Sequence, residues 1–105
     1  MINIPQKIKI SGYDYKVERA ERAFVSNGSA CDGLHDFSKQ EIVVAYEGNA
    51  AYQQTVFLHE MIHGIIRNYC EGIMSDYDEE RFTEQFAKGL YQVVNDNPDI
   101  FIKDN

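Results

Sequence analysis

The eight residues Val56-Phe57-Leu58-His59-Glu60-Met61-Ile62-His63 constrain this chain more than any other stretch. Their apolar members recur at helical spacing, and on a helix positions i and i+4 stand one above the other. His59 and His63 therefore project from one face and can grip a single ion. Glu60 is turned away by one residue, close enough to reach a water on that ion without becoming a ligand. The rest of the chain must supply whatever else such an ion needs.

With 105 residues the chain has room for one modest core, and we read 1–105 as a single domain. The net charge of −7, with no dense Lys/Arg cluster, argues against nucleic acid or an anionic membrane as the main partner. Met1-Ile-Asn-Ile-Pro-Gln-Lys7 has no apolar signal core, and no apolar run is long enough to span a bilayer. Cys31 and Cys70 are too few for a disulfide scaffold and are expected as reduced thiols in a cytoplasmic protein.

The first half reads as sheet. Ile8–Ile10, a Ser11-Gly12 turn and Tyr13–Val17 alternate as a hairpin, with Ile8, Ile10, Tyr13, Tyr15 and Val17 expected inward. Arg19–Val25 is ambiguous, since Ala20, Ala23 and Phe24 have helical spacing over a short run. Ser26-Asn27-Gly28-Ser29 is a turn. Ala30–Phe37 is a weak strand broken at Asp32-Gly33, and Gln40–Ala45 is the strongest strand by its β-branched content.

The second half reads as helix. A pattern runs from Ala50 to Cys70, capped near Gly48-Asn49 and stopped at Gly72. Phe57, Leu58, Met61, Ile62 and Ile65 form its expected apolar face. A second helix is expected from Asp76 to Asn95, with Glu79 as a capping-box partner, an apolar line of Phe82, Phe86, Leu90 and Val93, and Asn97-Pro98 as its end. Ile100-Phe101-Ile102 is expected to pack back on the body. The fold class is thus α+β: a short antiparallel sheet of three or four strands packed against two or three helices.

An H-E-x-x-H sequence on a helix reads as a zinc hydrolase signature. A catalytic zinc takes about three protein ligands and keeps a position for water. No histidine follows His63, and the earlier His35 is the only other one. The third ligand is therefore a downstream carboxylate, or else His35. Glu71 stands about 12 Å along the same helix from His63, too far to share an ion. Glu80 and Glu84, four apart, face one way and flank Phe82, Phe86 and Ala87, where a docked helix would point. Carboxylates at the margin of a packed face are costly unless a cation meets them.

His59-Glu60-Met61-Ile62-His63, followed about twenty residues later by Glu80-Arg-Phe-Thr-Glu84, resembles the gluzincin pattern of thermolysin-type peptidases. The segment Glu84-Gln-Phe-Ala-Lys-Gly-Leu-Tyr91 through Asn95-Asp-Asn-Pro-Asp99 is also similar to small phage and prophage metallopeptidases of the ImmA/IrrE group. The resemblance covers residues 56–98 most specifically. It implies a minimal zincin-like domain in which His59, His63 and Glu80 hold Zn²⁺. Glu84 then hydrogen-bonds a zinc-binding histidine, standing where that family often has Asp. A one-turn change of helix phase exchanges Glu80 and Glu84.

The implied chemistry is peptide hydrolysis by a water that the zinc acidifies, with Glu60 as general base and then proton donor to the leaving nitrogen. Tyr77, Tyr46 and His35 are the candidates for stabilising the developing oxyanion. The partner is a protein or peptide substrate, and Ala30–Phe37 is the candidate sheet edge on which it would lie by strand addition. The resemblance carries a phage or mobile-element origin. The alternative is a non-catalytic zincin-fold module that binds metal or protein without turnover. Glu60 favours the enzyme, since a purely structural zinc site has no use for a base beside an open position.

Overall fold

The computed structural model describes residues 2–101. The chain is α+β, with a four-stranded sheet, a separate two-stranded hairpin and two helices. Strands β1 (Lys7–Ile10) and β2 (Tyr13–Ala20) pair antiparallel around Ser11 and Gly12, at φ 60° and 103°. Two successive positive φ values match the twist of a tight hairpin. The ambiguous Arg19–Val25 segment divides between the end of β2 and β3 (Phe24–Ser26), which pairs with β4 (Ser29–Cys31) across Asn27-Gly28. Next come β5 (Gly33–Asp36) and β6 (Glu41–Ala45), then α1 (Ala50–Tyr69) and α2 (Asp76–Asp96). A 3₁₀ turn follows at Pro98–Phe101.

The sheet order is β1-β2-β6-β5, and β6 lies parallel to β2 while β5 lies antiparallel to β6. The sheet is therefore mixed rather than wholly antiparallel. The β3–β4 arm and β5 lie between β2 and β6 in sequence, so the chain returns and enters β6 in the direction of β2. This leaves β5 at the edge.

The core lies between one sheet face and α1. Ile10, Tyr15, Val17, Ile42 and Val44 meet Phe57, Leu58, Ile62 and Ile66, with Ala87 joining from α2. Each such apolar side chain contributes on the order of 1.5–3 kcal/mol by leaving water. The other sheet face carries exposed Lys9, Asp14 and Lys16, the polar half of the period-two pattern.

Several inward assignments change. Tyr13 is exposed past the cover of the helix, where its ring stands edge-on to Phe37 at 5.6 Å. On α1, Ile66 is buried and Ile65 is exposed, a small rotation of the expected face. On α2 the packed residues are Thr83 and Ala87, with Leu90 and Tyr91 partly covered, whereas Phe82, Phe86 and Val93 face outward. The tail residues Ile100 and Phe101 are also exposed, and Ile102 lies outside the described residues. Among the described residues, no helix is long and apolar enough to cross a membrane.

Candidate metal centre

Caps position both helices. The Asn49 side chain accepts from the Tyr52 N–H at 2.8 Å, and the Cys70 N–H donates to the Ile66 carbonyl before Gly72 turns the chain at φ 84°. Burying Phe57, Leu58, Ile62 and Ile66 against the sheet rolls α1 so that His59 and His63 point toward α2. Ser75 caps α2, its hydroxyl accepting from the Asp78 N–H at 3.1 Å. Glu79 is therefore released from the expected capping-box role.

Three donor groups converge between the helices. His59 Nε2 and His63 Nε2 are 3.1 Å apart. The Glu80 carboxylate places Oε1 3.0 Å from the first and Oε2 3.0 Å from the second. The outer nitrogens also meet carboxylates: His63 Nδ1 lies 2.6 Å from Glu79 Oε2, and His59 Nδ1 lies 3.3 Å from Glu84 Oε2. Each ring thus has an acceptor on both sides. Satisfying all of them with protons would make two imidazolium ions 3.1 Å apart. Burial opposes that for His59, whose pKa is lowered first by desolvation and then by the charge of His63.

The simpler arrangement has His63 Nδ1–H donating to Glu79 and His59 Nδ1 beside the Glu84 carboxylate, which leaves both Nε2 lone pairs and the Glu80 oxygens facing one another. That is the donor set of a metal site, and His59, His63 and Glu80 are positioned to hold a metal ion. Ligands around a tetrahedral zinc stand roughly 3.3 Å apart, close to the separations here.

Glu60 is only 8% exposed and turns from the histidine row toward the sheet edge. Burial pushes its carboxyl up from 4.5 to about 7, opposed by His63 and reinforced by Glu80. A dication on the neighbouring ligands would draw it down again. Strand β5 passes directly over this side chain at Gly33. A Cβ there would lie 2.6 Å from Val56 Cγ1 and 2.9 Å from Glu60 Oε2. Only glycine permits that approach. The break at Asp32-Gly33 was visible in the sequence, whereas its bearing on Glu60 depends on the packing.

Among the three oxyanion candidates, His35 lines the cavity beside His59, Glu60 and His63. Tyr77 and Tyr46 are exposed and do not line it. His35 Nε2 lies 3.0 Å from the hydroxyl of Tyr15, a fully buried residue. The Asn68 amide N–H₂ donates both to that hydroxyl at 3.3 Å and to the Gly64 carbonyl at 2.7 Å. The Tyr15 proton therefore goes to His35 Nε2, the neutral ring carries its own proton on Nδ1, and Nδ1–H is what remains for a ligand. Burial, then the charge of His63, lowers the His35 pKa and favours this neutral form.

Two cavities meet over the motif. One of about 750 Å³ extends past His35, Phe37 and Arg67, and one of about 480 Å³ extends past Tyr52, Thr55 and Lys88. They share Cys31, Gly33, His59, Glu60 and Glu80, so together they form a groove beside the β5 edge.

No family model matches the chain, and no solved structure matches it. Among curated proteins it is similar to a ferredoxin–NADP reductase of Leuconostoc mesenteroides, at 29% identity over 96 residues. That stretch covers 90% of this chain and 25% of the reductase. The chain spans about a quarter of the length of the curated relative it matches.

Proposed function

We propose that this chain is a zinc-dependent peptidase acting on a protein or peptide, with His59, His63 and Glu80 as the ligands and Glu60 as general base. The observation that carries the reading is the convergence of His59, His63 and Glu80 beside a buried acid that is not among them. A structural zinc site is closed by its ligands and gains nothing from that acid. Zinc, when bound, supplies Lewis acidity.

The chain's own groups do the rest. Glu79 accepts the Nδ1 proton of His63 and Glu84 stands beside Nδ1 of His59, keeping both Nε2 lone pairs turned inward. Glu60 takes the proton of the attacking water and returns it to the leaving nitrogen. His35, through Nδ1–H, is the donor for negative charge developing on the carbonyl oxygen. An extended substrate lies in the groove and pairs with the free edge of β5. The two cysteines, read as reduced thiols, suggest a cytoplasmic location, and the resemblance alone suggests a phage or mobile-element origin.

Similarity to part of a reductase raises the question of dinucleotide binding. No two of the seven glycines stand two residues apart, as a G-x-G-x-x-G loop requires. A second reading is a non-catalytic metal-binding or protein-interaction module, to which the open groove beside the histidines is equally suited.

The test combines metal analysis with cleavage of a diverse peptide library read by mass spectrometry. Wild type should carry close to one zinc per chain. Glu60→Gln should keep the zinc and lose cleavage, whereas His63→Ala should lose both. Cleavage by Glu60→Gln at the wild-type rate, or none by the zinc-loaded wild type, would hand the site to the module reading.

A further inference from the structure

The outward face of α2 carries Phe82, Phe86, Gly89 and Val93, at spacings of four, three and four. Such a line follows one side of a helix and lies well around from the face packed on α1. Phe82 and Phe86 stack on each other at 5.1 Å. Among the described residues nothing covers this line. Phe82, Phe86 and Val93 expose 44, 49 and 44% of their surface, and a shallow cavity of about 530 Å³ runs between them.

We infer that this face pairs with the same face of a second copy, α2 against α2 antiparallel about a twofold axis between Phe86 and Gly89. The spacing itself reads identically in both directions, as an antiparallel twofold contact requires. In that register Phe86 of each copy lies over Gly89 of the other, and Phe82 meets Val93. A Cβ on Gly89 would meet nothing within 4 Å, so the helix has a notch where the opposing ring would enter.

Charge favours this face for self-contact. A chain of net charge −7 repels its copies over most of its surface. Here the rim is Gln85 and Gln92, both neutral, while Glu79, Glu80 and Glu84 are turned toward the histidines. Asp78 and Asp96 stand in line at the two ends and limit the contact to its centre. The exposed parts of the three apolar side chains amount to roughly 250 Å² per copy. With the rim, a pair removes on the order of 800 Å² from water, below the roughly 1,000 Å² that a stable specific interface clears and in the range of a weak, transient contact. The dimer is therefore weak, forming at about 100 μM and above.

Sedimentation equilibrium of the full chain from about 10 μM to about 1 mM tests this, at low and high salt. The expected result is a monomer–dimer equilibrium that tightens with salt as the end carboxylates are screened, and that Phe86→Glu abolishes. Gly89→Leu is the sharper variant. It fills open space and improves helix propensity, so the fold is kept, and filling the notch should weaken dimerisation at least about tenfold. Indiscriminate apolar association would instead tighten with the added leucine. A monomer at all concentrations, tightening by Gly89→Leu, or loosening with salt would each overturn the proposal, the last pointing to a self-contact held by ion pairs elsewhere on the surface.

Discussion

Glu79 Oε2 lies 2.6 Å from His63 Nδ1, the shortest contact in the centre, and it reaches there because Ser75 caps α2 without help from Glu79. Glu84 makes the corresponding contact with His59 at 3.3 Å and shares its carboxylate with Lys88. The two histidines are thus oriented from the same helix that brings Glu80, but unequally. The closer and more buried carboxylate should matter more.

Glu79→Gln is expected to weaken zinc binding by about 10–100-fold, and Glu84→Gln by less. Competition with a chromophoric chelator measures both. Equal affinity for Glu79→Gln and wild type would show that His63 is oriented without this contact.

Glu60 makes the metal-free protein sensitive to pH in an unusual direction. Its folded carboxyl titrates at about 7 against 4.5 for the free group, so the folded state holds this proton more tightly than the unfolded state does. The Glu60 contribution is most favourable below about pH 4.5 and is lost as pH rises toward 7, a swing on the order of 3 kcal/mol. Urea melts of chelator-treated wild type and Glu60→Gln between pH 5 and 8 measure it as a difference. A difference that does not change with pH would contradict the buried, proton-holding carboxyl.

Gly33→Ala should force apart β5 and α1, since the new methyl would lie 2.6 Å from Val56 Cγ1 and 2.9 Å from Glu60 Oε2. Overpacking of this kind costs about 1–3 kcal/mol. Because the new methyl would meet Val56 and Glu60 first, rather than His59, His63 or Glu80, zinc content should stay near wild type while any hydrolysis falls. Unaltered stability together with unaltered turnover would mean that strand and helix can separate freely.

Tyr15→Phe removes the hydroxyl between Asn68 and His35 and should cost about 1–2 kcal/mol, because its partners stay buried. It should also release the His35 tautomer, moving the proton from Nδ1 toward a mixture of both nitrogens. Nitrogen chemical shifts of the imidazole ring report this directly. An Nδ1–H ring in both proteins would show that Tyr15 does not set the tautomer.

The features legible from sequence were local ones. Asn49 and Gly72 bounded α1 because caps act within one turn, the Ser11-Gly12 turn declared its hairpin, and Asn27-Gly28 declared a turn whose flanking strands β3 and β4 only the structure showed. The joint placement of Glu80 and Glu84 followed from their spacing of four, whichever way the helix docked. What failed depended on neighbours far along the chain. Hydrophobicity alone put Phe82 and Phe86 in the helix–helix contact, but the space between α1 and α2 is narrow and takes Thr83 and Ala87 instead. Glu79 carried a capping signal that lapsed because the cap falls on Ser75, which puts Asp78 rather than Glu79 in the capping-box position.

By itself the sequence determined that His59 and His63 share one helical face with Glu60 turned aside, because 3.6 residues per turn leaves no other arrangement once the helix forms. Only the tertiary structure decided which acids meet them, that Gly33 lies over Glu60, and that β6 runs parallel to β2. Those outcomes depend on the rotation and docking of whole elements, set by how side chains from distant segments fill a shared core, and no local rule of spacing contains that information.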